Sequence, residues 1–335
     1  MKSVQIQDSF GIDHLQFSDC SQKEIADDEV EIRVEAVSLN YRDLLMVKGL
    51  YNPKQPLPLV PCSDGAGIVS SVGSCVESLK VGDKVTTVFA PQWQSGTPTL
   101  IQMRNTIGGP KDGALTQRFV TSSSHVLKSP PHLTYAQAST LPCAAVTAWN
   151  ALVEVGKIKA GDKVLIQGTG GVALFALQFS KMFGAETIVL SSSEEKLQRV
   201  KELGASHTIN YKKNPEWSKI VKSYVGNVDI IIELGGAETL QQSLRVCRPG
   251  GTIALIGILS GTAPKINLLP IIMNKLNVCG IFVGSQNCFE EMNKAIAFHK
   301  LEPIIDKTFA FGEVKKAFEY IESASHFGKI CIHLQ

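Results

Sequence analysis

A glycine-rich turn follows a short apolar run in the middle of the chain. The run covers residues 163–167, and the turn consists of Gly168, Thr169, Gly170, Gly171 and Val172. Glycine at 168 permits a tight turn, glycine at 170 lets the backbone approach a pyrophosphate, and Ala173 allows close packing of helix on strand. The free N–H groups at the start of the next helix favour an anion. The spacing therefore predicts a dinucleotide-binding turn, with a ligand-free glycine turn as the alternative.

The next predicted strand ends in serines rather than in a carboxylate. An Asp or Glu at this strand tip accepts hydrogen bonds from the ribose 2′-hydroxyl of NAD, and it would repel a 2′-phosphate. Here Ser191 and Ser192 stand at the tip, and Lys196 follows. Hydroxyls and a lysine can bind a phosphate, so the pattern favours NADP(H) over NAD(H). The alternative for Lys196 is a solvated position on a charged helix face.

Strands and helices alternate around these motifs. Strands are predicted over 163–167, 187–190, 228–234 and 252–258, and helices over 172–183, 194–203 and 237–247. This order implies right-handed crossovers and a parallel sheet, to which 278–283 adds a further strand. The first third of the chain lacks the rhythm and instead alternates short β-rich runs, such as residues 30–37, with Gly and Pro. That pattern is typical of a compact antiparallel β module.

The length predicts two domains, because 335 residues exceed the size to which a single core usually grows. We expect an α/β fold with a β domain over residues 1–125 and a dinucleotide-binding domain over residues 126–285. Residues 286–335 contain a predicted helix over 313–323 and a predicted strand over 329–333. They are expected to pack back on the N-terminal domain as a return segment.

Charge and cysteine usage exclude several classes of protein. The net charge of +2 is the difference between 33 basic and 31 acidic residues, which does not suggest a nucleic-acid or membrane-surface partner. The first ten residues lack the apolar core of a signal peptide. Eight cysteines occur without a Cys-x-x-Cys pair, as expected for reduced thiols rather than a disulfide framework. We expect a cytoplasmic enzyme with a small-molecule substrate.

A series of short motifs resembles the medium-chain dehydrogenase/reductase superfamily, specifically its zinc-free, quinone-oxidoreductase-like branch. Besides the glycine turn, the motifs are NYRDLL at 40–45, GLY at 49–51, DGAGIV at 64–69, VGDKV at 81–85, GAL at 113–115, FV at 119–120, LPC at 141–143 and TAW at 147–149. Each is weak alone, but their order across nearly the whole chain is specific. The resemblance implies a GroES-like β domain that holds the substrate and a Rossmann domain that holds the cofactor, with the active site in the cleft.

The resemblance also implies roles for individual residues. Residues expected to line the nicotinamide are Asn40, Thr147, Gly257, Ile258, and the backbone of Val283 and Gly284. Lys196 and Tyr211 match the lysine and tyrosine that contact the 2′-phosphate in the quinone-oxidoreductase branch. A third basic contact of that branch is replaced by Ala324, which is a departure from its NADP pattern.

The same resemblance bears on metal binding. Zinc alcohol dehydrogenases have a cysteine where Asn40 stands and a His-Glu pair where Ser63 and Asp64 stand, whereas Cys143 matches their third ligand. One thiolate cannot hold catalytic zinc, which needs about three protein ligands. The cysteines of the structural zinc lobe are also missing between residues 90 and 113. We therefore expect no zinc and no metal ligand, with Cys143 a buried thiol.

Without a metal, hydrogen-bond donors must stabilise charge on the substrate oxygen. Tyr41 and Tyr51 are expected on the nicotinamide side of the β domain, and with Asn40 they form the candidate catalytic set. Tyr51 resembles the tyrosine proposed as proton donor in enoyl-thioester reductases of this superfamily. Phenols normally stay protonated near neutral pH, so Tyr51 would donate. The alternative is that Tyr51 only shapes the cleft.

Three functions remain open at this point. The first is an NADP(H)-dependent reductase of quinones, enones or other small carbonyl compounds. The second is a zinc-independent alcohol dehydrogenase, and the third is a nucleotide-binding protein with little turnover. A homodimer is expected by resemblance, through edge pairing of residues 278–283, because an exposed apolar edge strand favours pairing.

Overall fold

A computed structural model describes residues 1–20, 24–261 and 266–335 of the chain. The described residues form two compact units, one of Met1–Val146 with Ser285–Gln335 and the other of Thr147–Gly284. The stretch 126–146, expected in the second domain, thus lies in the first unit. The physical reason is strand pairing, since residues 126–128 pair antiparallel with residues 85–87 of the first unit.

The elements follow in chain order. Those up to residue 139 are β1 (Lys2–Ile6), β2 (Leu15–Asp19), β3 (Glu29–Leu39), α1 (Tyr41–Val47), β4 (Asp64–Val72), β5 (Lys84–Thr87), α2 (Leu100–Arg104), β6 (Arg118–Ser122), β7 (Val126–Lys128) and α3 (Tyr135–Ser139). Short 3-10 turns cover Ile12–His14 and Ser123–His125, and a π-helical turn covers Leu141–Ala145.

The next elements, up to residue 280, are α4 (Val146–Trp149), a π-helical turn (Asn150–Val155), β8 (Lys163–Gln167), α5 (Gly171–Met182), β9 (Glu186–Ser191), α6 (Glu194–Glu202), β10 (His207–Asn210), α7 (Trp217–Val225), β11 (Val228–Glu233), α8 (Leu240–Val246), β12 (Cys247–Leu255), α9 (Leu269–Met273) and β13 (Asn277–Gly280). The return segment contains α10 (Gln286–His299), β14 (Ile305–Ala310), a 3-10 turn (Phe311–Glu313), α11 (Val314–Glu322) and β15 (Lys329–His333).

The second unit contains a six-stranded parallel sheet in the order β10-β9-β8-β11-β12-β13. The chain starts at the central β8, builds one half of the sheet outward and then builds the other half. This is the order of a doubly wound dinucleotide-binding sheet, whose ligands lie beyond the carboxyl ends of the strands where the order reverses. Helix α5 packs on β8 and β9, and α6 packs on β9 and β10. The predicted α/β fold with a Rossmann sheet is confirmed.

The first unit contains a seven-stranded sheet in the order β14-β15-β3-β4-β5-β7, with β6 also paired to β3. All pairs are antiparallel except β14 with β15. The long β3 alternates buried and half-exposed residues because one face covers the core. The return segment adds β15 beside β3, so it completes the sheet of the first unit. The predicted antiparallel β module is confirmed.

Several details differ from the sequence-based expectations. The predicted strand over 278–283 ends at Gly280, since Val283 has a left-handed φ of +42° that a strand does not tolerate. The predicted helix over 237–247 begins only at Leu240 because residues 234–239 form a turn. Helix α7 and strand β10 were not predicted. Within the described ranges, every helix is too short or too polar to cross a bilayer.

Candidate functional site

The glycine turn of the second unit joins β8 to the first turn of α5. Gly168 has a φ of +81°, which favours glycine, and its N–H donates to Leu190 O at 2.7 Å. A Cβ built on Gly168 would meet no protein atom of the described chain within 4 Å. Helix α5 has 12 residues and begins after Gly170 without a side-chain cap among the described residues. Its first N–H groups therefore lack a side-chain partner at the helix start, where a diphosphate can accept from them.

The serine tip of β9 lies beside the end of β10. Asn210 pairs with Ser191 in the parallel register, and Tyr211 N donates to Ser191 O at 3.1 Å. Ser193 caps α6 by accepting from Lys196 N at 3.3 Å, which places Lys196 in the first turn of that helix. The structure thus brings together the backbones of Ser191, Ser192, Lys196 and Tyr211. The side chains of Ser191 and Ser192 carry hydroxyls and that of Lys196 carries an ammonium group, which are kinds of group that bind phosphates.

A buried carboxylate organises the loop that follows β11. Glu233 is fully buried and accepts from Gln167 Nε2 at 2.7 Å, Ser243 Oγ at 2.5 Å and Thr239 Oγ1 at 2.5 Å. It also accepts from the N–H groups of residues 235 and 236 at 3.1 and 3.0 Å. Since Gln167 is the last residue before the glycine turn, Glu233 fixes that turn to the neighbouring loop. Glu233 was not among the residues predicted for the site.

The other residues expected near the nicotinamide lie at the ends of second-unit elements. Gly257 packs so closely that a Cβ would lie 2.3 Å from Leu234 O, whereas Ile258 beside it is 53% exposed. Val283 keeps its left-handed backbone, and its carbonyl accepts from Asn150 Nδ2 at 2.8 Å. Such a conformation is strained for a β-branched residue and often marks a functional position. Thr147 and Gly284 are the first and last residues of this unit.

A buried polar cluster lies where one strand of the first unit ends and two others begin. Asn40 follows β3, Asp64 begins β4 and Lys329 begins β15. Ser38 pairs with Asp64, and Ile330 pairs with Leu39, so the register places Lys329 next to Asn40. The Lys329 ammonium donates to Asn40 Oδ1 at 2.5 Å and lies 3.9 Å from Asp64 Oδ2.

Further hydrogen bonds connect this cluster. Ser63 Oγ donates to Asp64 Oδ1 at 2.7 Å, and the Cys143 backbone N–H donates to Asp64 Oδ2 at 3.3 Å. Asp43 accepts from Asn40 N at 2.8 Å and from Ser63 N at 3.3 Å, so it holds the loop that carries Asn40. Burial raises the pKa of the Asp64 carboxyl to about 6, although the Lys329 ammonium lowers it.

The candidate tyrosines lie at the surface of the first unit. Tyr41 and Tyr51 are 48% and 45% exposed. The Arg42 guanidinium lies 5.0 Å from the centre of the Tyr51 ring and donates to the carbonyls of Ile107 at 2.9 Å and Gly109 at 3.1 Å. Because Arg42 is itself anchored to the backbone, it restrains the Tyr51 ring. The contacts of Arg42 and Asp43 show that this charged pair is structural.

The polar cluster is a poor donor set for zinc. The Asn40 amide oxygen and the Asp64 carboxylate already face the Lys329 ammonium, which would repel a divalent cation. Burial, and then the charge of Asp64, raise the pKa of the Cys143 thiol well above its usual range. No group of three His, Cys, Asp or Glu side chains suited to a metal occurs in the described part of the chain. These residues do not fit zinc.

The fold and the glycine turn define a dinucleotide-dependent oxidoreductase, and two family models agree. The alcohol dehydrogenase GroES-like domain matches residues 26–131, and the zinc-binding dehydrogenase family matches residues 171–298. A zinc-type alcohol dehydrogenase-like protein of Schizosaccharomyces pombe is 42% identical, over 91% of this chain and 91% of its own length. The chain belongs to the medium-chain dehydrogenase/reductase superfamily. It is an enzyme of the alcohol dehydrogenase and quinone oxidoreductase type.

Two further similarities cover nearly the whole chain. A solved structure from Sinorhizobium meliloti, assigned as an alcohol dehydrogenase, superposes with a TM-score of 0.92 at 38% identity, covering 100% of this chain and 99% of that one. The chloroplastic NADPH-dependent alkenal/one oxidoreductase of Arabidopsis thaliana is 29% identical, over 99% of this chain and 79% of its own length. The expected fold, with its GroES-like and Rossmann domains, is therefore confirmed.

Proposed function

We propose that the protein is an NADP(H)-dependent, zinc-independent reductase of quinones, enones or other small carbonyl compounds. The observation that carries the proposal is the glycine turn beside a strand tip with two serines, a lysine and a tyrosine. That group suits a phosphorylated ribose better than a free 2′-hydroxyl. The name of the Arabidopsis relative, with NADPH and an alkenal or alkenone substrate, supports the same cofactor and substrate class.

The reaction requires a hydride and a proton. The glycine turn and the serine tip would hold NADPH, which would supply a hydride to the electrophilic carbon or quinone ring, and a proton would complete the reduced product. The chain orients the dinucleotide through the turn after Gln167 and through the first N–H groups of α5. Asn40 and Tyr51 donate hydrogen bonds to the substrate oxygen, on which negative charge develops. The phenol of Tyr51, or else Tyr41, donates the proton.

The chemistry of the cluster around Asp64 supports the proposed zinc independence. A buried ammonium there already balances the carboxylate, so a second cation would have to displace Lys329. We expect the purified enzyme to turn over at full rate with substoichiometric zinc and after treatment with a chelator. Elemental analysis together with NADPH oxidation before and after chelation tests this. Stoichiometric zinc that turnover requires would contradict the proposal.

A second function, zinc-independent alcohol oxidation, is supported by the names of the Schizosaccharomyces and Sinorhizobium relatives. NADPH consumption at 340 nm is measured with quinones, enones and aldehydes, and NADP⁺ reduction with primary and secondary alcohols. The proposed reductase prefers quinones or enones. Preference for alcohols would favour the dehydrogenase. If calorimetry shows nucleotide binding while no substrate is consumed, the protein is a nucleotide-binding protein with little turnover.

Lys196 is expected to select NADPH over NADH. Replacing Lys196 by alanine removes a cation from the serine tip, so the Kd for NADPH should rise about tenfold, the loss of one charge-assisted contact. The Kd for NADH should stay unchanged. Isothermal titration of both nucleotides measures the two values. Lys201→Ala, an equal charge change near the end of the same helix, serves as the control. Equal losses for NADPH and NADH would reject a phosphate contact.

Tyr51 is expected to donate the proton. Tyr51→Phe should lower kcat about tenfold. Loss of a proton donor that is shielded from water would lower kcat further. Here the side chain is 45% exposed, so water can reach the site and replace the phenol as donor. The Kd for NADPH should not change, since the phenol does not hold the nucleotide. Steady-state kinetics on the best substrate test this, with Tyr224→Phe on α7 as the control. Unchanged turnover would leave Tyr51 as a residue that only shapes the site.

We propose a homodimer formed through the second unit. Strand β13 is the last strand of its sheet, and the neighbouring α9 region exposes Leu268, Leu269, Ile272 and Met273 by 58–74%. An unpaired edge beside apolar side chains is a surface that pairing would cover. Light scattering during size exclusion should give twice the monomer mass, and a monomer would reject the proposal. Ile272→Lys should weaken the dimer.

A cytoplasmic location belongs to the proposal as well. All eight cysteines are free thiols, and only Cys75 among them has an exposed side chain. Free thiols persist in a reducing compartment. Fractionation of the source cells tests this location, and recovery of the enzyme in an oxidising compartment would contradict it.

A further inference from the structure

The Asn40 carboxamide has a defined orientation. The Lys329 ammonium lies 2.5 Å from the atom Oδ1 of Asn40. An ammonium group can only donate hydrogen bonds, so the atom that faces it must be the amide oxygen and not the NH2 group. The oxygen of Asn40 is therefore occupied, and the side chain can act toward a ligand only as a donor.

The NH2 group of Asn40 faces Ser63 and Asp64. Its atom Nδ2 lies 3.5 Å from Ser63 Oγ, at the limit of a hydrogen bond. Ser63 Oγ in turn donates its proton to Asp64 Oδ1 at 2.7 Å, so it presents lone pairs to Asn40. The NH2 group also hydrogen-bonds to the Asp64 carboxyl, and Asn40 is 9% exposed. Since the amide oxygen faces Lys329, a ligand oxygen that reaches this side chain can only accept from its NH2 group.

Lys329 itself faces inward. Its side chain is 3% exposed and, besides Asn40 Oδ1, its ammonium donates to Leu39 O at 2.8 Å and lies 3.9 Å from Asp64. The ammonium is thus held at the end of β3 by the carbonyl of Leu39 and the side chain of Asn40. Burying a lysine costs free energy unless it is paired and hydrogen-bonded. The arrangement thus holds one loop rather than offering a charge to solvent.

We propose that Lys329 is a positioning residue, which locks the Asn40 carboxamide as a hydrogen-bond donor for a substrate oxygen that gains negative charge. The inference rests on the proposed reductase function, because an enone or quinone oxygen is such a group. Lys329 acts only through Asn40 and touches neither substrate nor dinucleotide. When the lysine is removed, the amide can flip, and the donor is lost in part of the population.

A double-mutant cycle tests whether Lys329 acts through Asn40. Lys329→Met keeps the length of the side chain and removes the ammonium, and it is made in wild type and in an Asn40→Ala background. In wild type, kcat/KM should fall about thirtyfold, mostly in kcat, as for loss of a preorganised donor. In the Asn40→Ala background the same change should alter kcat/KM less than about twofold. The Kd for NADPH should change by less than about twofold throughout.

Equal losses in both backgrounds would overturn the proposal, since Lys329 would then act independently of Asn40. A rise in the NADPH Kd in both backgrounds would also overturn it and make the lysine a nucleotide contact. Lys329→Met could fail to fold because it leaves Asp64 unpaired. In that case Asp64→Asn takes the place of wild type as the reference, and Lys329→Met is added to it with and without Asn40→Ala. Lys329→Gln has an amide that can donate to Asn40. In a protein that keeps Asn40, it should therefore retain more activity than Lys329→Met.

A second readout does not depend on activity. In ¹⁵N spectra of the wild-type protein, the Asn40 side-chain amide should give one sharp pair of signals, assigned by its loss in Asn40→Ala. In Lys329→Met that pair should broaden or split, since two amide orientations become populated. An unchanged pair would overturn the locking role. If wild type reduces no substrate but shows the sharp pair and its broadening, the proposed function fails while the locking of Asn40 stands.

Discussion

Gly168→Ala is expected to weaken NADPH binding roughly a hundredfold while the protein still folds. A φ of +81° disfavours alanine, and relief of that strain shifts the turn that aligns Gly170 and the first N–H groups of α5. Loss of two charge-assisted hydrogen bonds to a diphosphate corresponds to about 3 kcal/mol. Titration calorimetry with NADPH measures the change.

Gly226→Ala is the matched control for this prediction. Gly226 ends α7 with a φ of +76°, and a Cβ on it would meet no described atom within 4 Å, as at Gly168. Both substitutions therefore cost about 1–3 kcal/mol of backbone strain, which is several degrees in Tm. Only Gly168→Ala should affect the nucleotide. Equal and small effects on the Kd from both variants would mean that the turn does not hold a diphosphate.

The nucleotide-binding half of the molecule could be predicted because its information is local. The apolar run, the glycines and the helical period lie within about 20 consecutive residues. The alternation of strands and helices then indicates a parallel sheet, whose crossover connections are right-handed. Ser191 and Tyr211 are also predictable as neighbours, since parallel strands end at the same edge of a sheet. The predicted domain boundary lies about 20 residues before the observed one. The short strand at 126–128 has no sequence pattern that indicates which sheet it joins.

The polar cluster of the first unit could not be predicted in the same way. Lys329 and Asn40 are 289 positions apart, and only the β15–β3 register brings them into contact. In sequence, a lysine at the start of a C-terminal strand looks like an ordinary solvated residue. Glu233 was missed for a similar reason, because its acceptor role depends on a turn that three separate elements build. A buried charge becomes visible only when its partners are known.

Asp64→Asn is expected to change how stability depends on pH. The folded carboxyl keeps its proton up to about pH 6, whereas an unfolded Asp releases it near 3.8. Between these values the folded protein binds more protons, so the contribution of Asp64 falls as the pH rises from about 4 to about 6. Asparagine does not titrate. The stability of Asp64→Asn relative to wild type should therefore rise by roughly 3 kcal/mol from pH 4 to pH 7.

Calorimetric unfolding of both proteins at pH 4, 5, 6 and 7 measures this difference, expected as roughly 6–12 °C in the relative Tm of the first unit. Glu313→Gln is a control of opposite sign: the Lys316 hydrogen bond lowers the pKa of Glu313, so that variant loses relative stability as the pH rises. The comparison also tests the cluster itself. A constant gap between Asp64→Asn and wild type would mean that the pKa of Asp64 is not raised in the folded protein, so that its partners outweigh burial.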